Sequence, residues 1–332
     1  MRTREFGKSG LKTSVIGFGG WPMGRGQYGA FDDGQAIAAV RAAFDGGVTL
    51  FDGAAVYGWG YGEKLLGKAI KPFRKDIVLV TKGGRRWVQN DADRTRATVS
   101  DSSPEYINEG ISESLKRLDT DYIDLYLIHW PDKTRPYEVP MRVLEDAKKA
   151  GKIRRYGVSN FHADMLAECV KHGQPACDQV GYHAFDRRPE AGIFPFVQQN
   201  GIGVMAYGSM AHGLLTGAWK PGQSFAEDDW RRNGANFGLK TWAPENLPAN
   251  LAVVDKLKKI AADHKMTVAQ LAVAWVLANP AVTVALCGAK TPAEMKEDLG
   301  GDWAMAASLR DEINRLVLAE GSGVGKVGDA GP

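Results

Sequence analysis

The sequence predicts an α/β fold: a (β/α)8 TIM barrel with an N-terminal β-hairpin and long loops at its C-terminal face. Three observations lead there. Short apolar runs alternate with helical patterns along the whole chain, and eight such runs can be read off. Several of them, IVLVTK at 77–82 and YIDLYLIH at 122–129, are continuously apolar rather than alternating, as parallel strands buried on both faces must be. No internal break divides the eight β-then-α units, which favours one closed barrel over the rival open doubly wound sheet.

In order, the expected strands are Ser14–Gly19, Val48–Asp52, Ile77–Lys82, Tyr122–His129, Arg154–Asn160, Cys177–Gly181, Ile202–Tyr207 and Thr283–Cys287. Helices are expected near 33–46, 61–70, 104–118, 138–150, 162–172, 190–200, 267–278 and 292–299. Start signals support some of them. Asp32-Asp33 precedes an apolar face, Ser103-Pro104-Glu105 pairs an N-cap with proline at the first helical position, and Asp263 and Thr267 flank a turn. Arg4–Thr13, with Lys8-Ser9-Gly10 as its turn, is expected to form the hairpin. Two connections, about 83–102 and 208–250, exceed ordinary loop length and carry Arg85, Arg86, Trp87, Trp219, Trp230, Arg231 and Arg232. Loops of this length are usually functional, and both follow the C-terminal end of a strand.

Composition bounds the rest. With 332 residues, 44% hydrophobic and 24% charged, the chain reads as globular, and its net charge of +3 with no long basic run gives no reason to expect a nucleic-acid partner. Cys169, Cys177 and Cys287 are scattered and odd in number, so they read as reduced thiols and no metal site is expected. The N-terminus lacks the apolar stretch of a signal peptide, which points to the cytoplasm. The uncharged stretch Met266–Ala289 is long enough to span a membrane, but Gln270, Asn279 and Pro280 make it a buried helix, a stop and a buried strand. We expect a single domain over residues 1–320 and a disordered glycine-rich tail over 321–332.

Gly24, Gly26 and Gly29 match G-x-G-x-x-G, and Asp52 follows as a ribose carboxylate would in a dinucleotide-binding fold. The motif does not turn directly off the strand. Gly20-Trp21-Pro22-Met23 intervenes, and Pro22 breaks the geometry that would set a helix N-terminus on a pyrophosphate.

Four polar residues close strands or follow them: Asp52 after VTLF, Tyr57 five residues on, Lys82 after IVLVT and His129 after YIDLYLI. Strand ends of a barrel share one mouth, so these four are expected to converge there. A lysine ammonium about 4 Å from a phenol, at roughly 4 kcal/mol, would lower its pKa by up to about three units toward neutrality. Asp52 would hold the lysine, and His129 would donate to the same oxygen or orient the substrate. The set lacks a nucleophile and suits carbonyl reduction with a hydride from a cofactor.

The chain resembles the aldo-keto reductase family over about residues 5–320. The resemblance is carried by Phe51-Asp52-Gly-Ala-Ala-Val-Tyr57-Gly58, Thr81-Lys82, SLKRLDTDYIDLYLIHWPD, GKIRRYGVSNF, Gln179, AYGSMAHGLLTG and CGAKTPAEMKEDL. It implies a (β/α)8 barrel reducing aldehydes or ketones with a nicotinamide cofactor, usually NADPH. Tyr57 resembles the general acid, with Asp52, Lys82 and His129 completing a tetrad. Ser159, Asn160 and Gln179 resemble the residues that hold the carboxamide, and Tyr207 the aromatic that stacks on the nicotinamide. Trp21 and Asp52 are also expected on the cofactor. The backbone from Gly208 through Ser209, Met210 and Gly213 to Leu214 would carry the pyrophosphate. Gly288, Lys290, Glu294 and Asp298 would meet the adenosine phosphate. Glu294 and Asp298 stand where relatives usually have Gln and Asn, and Ala218 where a lysine is common, so NADP (NADPH) is expected with only modest preference over NAD.

The substrate pocket would be walled by Trp21, Trp59, Trp87 and Trp130, with Arg85 or Arg86 at its rim. Four tryptophans at one mouth favour a small-molecule ring substrate, a sugar or another cyclic carbonyl. The expected activity is NAD(P)H-dependent reduction of a carbonyl to the alcohol. The alternatives are the reverse sugar or polyol dehydrogenase, and a cofactor-sensing regulatory subunit, which predicts a partner-binding extension that this sequence does not show.

Overall fold

The structure, a computed structural model, describes residues 1–24, 31–87, 98–227, 229–329 and 331. The chain opens with a hairpin of β1 (Thr3–Glu5) and β2 (Lys12–Ser14). Eight parallel strands then close a barrel in the order β3 (Ile16–Gly19), β4 (Leu50–Asp52), β5 (Val78–Gly83), β8 (Ile123–Ile128), β9 (Ile153–Ser159), β10 (Cys177–Gly181), β11 (Gly203–Tyr207) and β12 (Val284–Cys287). The segment 14–19, expected as one strand, is divided. Ser14 pairs with Thr3 in the hairpin, and the barrel strand starts at Ile16.

Helices α1 (Asp33–Asp45), α2 (Tyr61–Ile70), α3 (Pro104–Leu118), α4 (Glu138–Lys149), α5 (Ala163–Cys169), α6 (Ile193–Asn200), α8 (Val268–Leu277) and α9 (Pro292–Leu299) lie where sequence places them. Two further helices, α7 (Leu247–Asp263) and α10 (Ala307–Glu320), were not expected. Leu251, Val254, Leu257 and Ala261 form a buried face of α7, a helical spacing just past the 208–250 connection that the sequence reading leaves unassigned. The loop after β5 also contains an antiparallel pair, β6 (Arg85–Trp87) and β7 (Thr98–Ser100). Among the start signals, Asp32 accepts from the Gln35 N–H at 2.7 Å, and Thr267 and Gln270 form a reciprocal capping box. Ser103 makes no side-chain cap, although Pro104 does open α3.

The barrel interior is a small apolar cluster with Phe6, Leu50, Val80, Leu125, Leu127, Cys177, Met205, Val284 and Leu286. Gly17 lies among these side chains, and a Cβ there would come within 2.8 Å of Leu50 and 2.9 Å of Leu286 and Val284. Phe6 of the hairpin plugs the N-terminal end, fully buried against Gly203. Strand side chains alternate, so the residue two positions after an interior one faces inward again. Counting two on from Leu50, Val80, Leu127, Cys177 and Met205 gives Asp52, Lys82, His129, Gln179 and Tyr207. The strand period alone therefore delivers a polar layer on top of the apolar plug.

One correction concerns the C-terminal segment. The segment 321–329, expected to be disordered, packs on the barrel: Gly325 donates to Phe185 O at 2.9 Å and accepts from the Arg187 N–H at 2.8 Å, and Ser322 exchanges two bonds with Asn250. Composition hid this because Val324 supplies an apolar anchor among the glycines. The glycine motif lies, beyond Gly24, outside the described residues; Trp21–Gly24 is a short 3-10 turn. No helix among the described residues is long and apolar enough to cross a membrane, and the stretch 266–289 is α8, a turn and β12.

A buried ion pair ties α2 and α3 to the barrel. Glu63, fully buried, accepts from Thr81 Oγ1 at 2.6 Å and from Arg117 Nε at 2.6 Å. Arg117 also underlies Gly60, whose φ of +83° turns the chain into α2. Removing one member of such a pair leaves an uncompensated buried charge. Arg117→Met is expected to lower unfolding free energy by about 3 kcal/mol, read from urea denaturation; a loss below about 0.5 kcal/mol would refute the account.

Candidate active site

The C-terminal strand ends surround a cavity of about 1030 Å³, and Asp52, Tyr57 and His129 are among its lining residues. Lys82 lies just beneath, fully buried. Its ammonium has three donors and meets three acceptors: Asp52 Oδ2 at 2.7 Å, Gly53 O at 2.8 Å and Tyr57 Oη at 3.2 Å. Asp52 Oδ1 accepts from Gln179 Nε2 at 3.1 Å. Since the ammonium can only donate, the phenol oxygen is an acceptor in this contact. The phenol's own proton is left to donate, and Tyr57 faces the cavity.

The expected lowering of the Tyr57 pKa is not what the site shows. Burial, and then the Asp52 charge, hold the phenol well above its ordinary value. Burial likewise pushes the Asp52 carboxyl up and the Lys82 ammonium down, each opposed by the other's charge. An ion pair closed at 2.7 Å is net neutral toward a third group, so the cation is spent on Asp52 rather than on the phenol. Tyr57 is thus a proton donor that stays protonated.

His129 packs edge-on against Tyr57, with ring centroids 5.9 Å apart. Burial, then the charges of Lys82 and Arg85, keep its pKa well below the ordinary value, so the ring is neutral at pH 7. Its buried Nδ1 has no hydrogen-bond partner among the described residues, and a ligand or an ordered water would satisfy it.

A second polar group continues along the same wall. Asn160, at φ +64°, donates to His129 O at 3.1 Å and accepts from Tyr207 Oη at 2.8 Å, while Ser159 Oγ donates to Gln179 O at 2.8 Å. Ser159, Asn160, Gln179 and Tyr207 all line the cavity. Next comes a run of left-handed backbone: Gly208 (+68°), Ala211 (+48°), His212 (+55°), Gly213 (+100°) and Gly217 (+74°). Successive N–H groups in such turns form concavities that suit anions. Gly208, Ser209, Met210 and Gly213 line the cavity here, although the Ser209 hydroxyl turns inward to Ala206 O and Leu286 O. At the far end stand Gly288, Lys290 and Glu294. Glu294 Oε2 accepts from the Lys290 N–H at 2.6 Å, so this carboxylate already braces the turn.

Three expected residues are not brought to the cavity. Leu214 is fully buried in the core. Asp298 lies one turn after Glu294 and is buried, and burial and its neighbouring carboxylates raise its pKa. Trp87 sits behind Trp59, ring centroids 4.8 Å apart, while Trp21, Trp59, Trp130 and Arg85 do line the cavity. Arg86 is exposed and pairs with Asp101 at 3.1 Å.

Residues that sequence reasoning did not name come from the long segment after β11: His212, Asn236 and Phe237 line the cavity, beside Trp219 and Arg231, which the sequence had marked as functional in that loop. Arg231 binds Asp229 through two nitrogens at 2.9 and 2.5 Å and lies over Trp219. The aromatic and arginine content of the loop had marked it as functional without naming contacts.

The aldo/keto reductase family model matches residues 15–301. The chain is 34% identical over 326 residues to aldo-keto reductase YhdN of Bacillus subtilis, covering 96% of this chain and 94% of that protein. It is 30% identical over 309 residues to the NADH-specific methylglyoxal reductase of Escherichia coli, covering 90% and 93%. Among solved structures it resembles the glycerol dehydrogenase of Gluconobacter oxydans, with a TM-score of 0.85, 30% identity, and 96% and 95% of the two chains covered. With its closed parallel barrel, the chain belongs to the aldo-keto reductase family of oxidoreductases, whose members use nicotinamide cofactors.

Proposed function

We propose that this enzyme reduces an aldehyde or ketone to the alcohol with NADPH or NADH, using Tyr57 as general acid. The observation that carries the reading is the Asp52–Lys82–Tyr57–His129 cluster beside a cavity of about 1030 Å³ that runs on to Lys290 and Glu294. The residues present fit such a group: an unpartnered buried His129 nitrogen at the reacting end, amide side chains beside Tyr207, and left-handed backbone over 208–217. Bound there, the nicotinamide would supply the hydride to the carbonyl carbon. Ser159, Asn160 and Gln179 would hold the carboxamide, and Tyr207 the ring face. Gly208, Ser209, Met210 and Gly213 would carry the pyrophosphate on their backbone.

The protein's own part is the proton. Tyr57 donates it to the carbonyl oxygen as negative charge builds there. Neutral His129 adds a hydrogen bond to the same oxygen. Lys82 fixes the phenol and stabilises the phenolate that remains, while Asp52 holds the ammonium in place. The reverse reaction, oxidation of a polyol, uses the same groups backwards, and the likeness to a glycerol dehydrogenase favours it as the second reading. The substrate would be a small ring carbonyl lying between Trp21, Trp59 and Trp130.

Tyr57→Phe is expected to cut kcat by about 10²–10⁴ or more while cofactor binding, followed by tryptophan fluorescence, stays intact. Near wild-type turnover of a panel of aldehydes, ketones and keto-sugars would end the assignment.

Lys82→Met leaves Asp52 as an uncompensated anion beside the phenol, and that charge raises the Tyr57 pKa further. Residual oxidation, which needs the phenolate, should therefore move to higher pH. The pH profile of the variant's alcohol oxidation checks this, and an unmoved profile would give the lysine another role.

At the adenosine end, Lys290 attracts a 2′-phosphate and Glu294 repels it, each contact worth on the order of 1 kcal/mol. Lys290→Ala should weaken NADPH more than NADH, and Glu294→Gln should raise the preference for NADPH. The check is kcat/KM with both cofactors. A wild-type preference above about a thousandfold, roughly 4 kcal/mol, would contradict this balance.

A further inference from the structure

One aromatic ring at the mouth has an unusual backbone and an unusual set of neighbours. The Phe237 ring centroid lies 5.2 Å from that of Tyr207, 5.3 Å from His212, and 6.1 Å from both Trp130 and Trp21. It stacks on Trp130 at 13° and on His212 at 29°. A single side chain thus joins the ring expected to carry the nicotinamide to two walls of the substrate pocket. Its φ is +50°, followed by Gly238 at +76°. A bulky aromatic residue is rare in that region and stays there only where its surroundings fix it.

Those surroundings are specific. Phe237 O accepts from Arg188 Nη2 at 2.8 Å, and Asn236 and Leu239 exchange two backbone bonds, each 2.9 Å, around it. Arg188 grips Asp186 through two nitrogens, each at 2.7 Å, and both residues are buried. Gly325 of the C-terminal segment lies on this pair: a Cβ there would come within 2.6 Å of Asp186 Oδ1 and 2.9 Å of Arg188 Nε. Backbone bonds of Gly325 to Phe185 and Arg187 hold it in place.

We propose that Phe237 is a substrate-specificity residue, the wall that favours carbonyls carried on flat rings, and that Arg188, braced by Asp186 and the C-terminal segment, is the positioning residue that sets it. A ring substrate entering between Trp21 and Trp130 meets the edge or face of Phe237, whereas a three-carbon carbonyl has too little surface to use it. The proposal rests on the carbonyl-reduction reading of the cavity.

The test compares kcat/KM for benzaldehyde and methylglyoxal at saturating NADPH in wild type, Phe237→Gly, Arg188→Met and the double variant. Glycine accepts the +50° backbone, so the first variant removes the ring without a folding penalty at that position. The benzaldehyde-to-methylglyoxal ratio should fall about tenfold in Phe237→Gly, which is an aromatic contact of about 1.4 kcal/mol. It should fall in the same direction in Arg188→Met and recover in Arg188→Lys. In the double variant it should match Phe237→Gly alone, because Arg188 acts through the ring. A ratio unchanged in Phe237→Gly, or fully additive losses in the double variant, would overturn the proposal. The affinity of the NADPH-loaded protein for benzyl alcohol relative to propane-1,2-diol, followed by tryptophan fluorescence, reads the same discrimination without turnover. Should wild type turn over neither carbonyl, the carbonyl reading fails while this binding ratio still decides the role of Phe237. If Phe237→Gly does not fold, Phe237→Asn, which also tolerates left-handed backbone, takes its place in both measurements.

Discussion

The site hangs on one ammonium group. Lys82 is buried with no contact to water, and a lysine so placed is tolerated only when all its donors are used. Its three protons go to Asp52, the carbonyl of Gly53 and the Tyr57 phenol. That satisfaction fixes three things together: the end of β4, the turn after it, and the oxygen that would lose its proton in catalysis. Glu63 extends the constraint outward, since it binds Thr81, the residue before Lys82, and ties it through Arg117 to α3. A fault in the outer ion pair would therefore reach the phenol through one strand rather than through bulk solvent.

Much of this was legible because the strand period is two and the barrel is filled from below. Once Leu50, Val80, Leu127 and Cys177 are assigned to the interior, Asp52, Lys82, His129 and Gln179 follow two residues on. The resemblance to a known family named the same residues independently. What failed was electrostatics that sequence cannot weigh. The Lys82 charge was expected to act on Tyr57, but Asp52 lies closer and takes it, and burial then dominates both groups. The Leu214 side chain and Asp298 lie buried off the cavity lining for a related reason. Motif matching identified their positions, but a motif does not say which side of a turn or helix faces the ligand.

The segment after β11 resisted reading most. Length and composition marked it as functional, yet its decisive contacts join residues far apart in sequence, such as Arg188 with Phe237 and Gly325 with Asp186. Nothing local predicts them. Helix α7 was lost in the same stretch, and the ordering of residues 321–329 was hidden because its partners, Phe185, Arg187 and Asn250, lie up to about 140 residues away.

The two ends of the cavity accordingly answer to different physics. At the reacting end the groups are buried and held by strands, so interactions there are little screened and a lost contact is costly. At the end proposed for the adenosine, Lys290 and Glu294 stand at a helix start near solvent, where their opposite charges would contribute little and nearly cancel. The carboxylate of Glu294 is also engaged by the Lys290 backbone N–H, so its charge cannot be traded freely for cofactor preference without loosening the turn that presents Lys290. On the proposed reading, cofactor choice would thereby be coupled to local backbone order, while proton transfer at the opposite end of the cavity would be held apart from it.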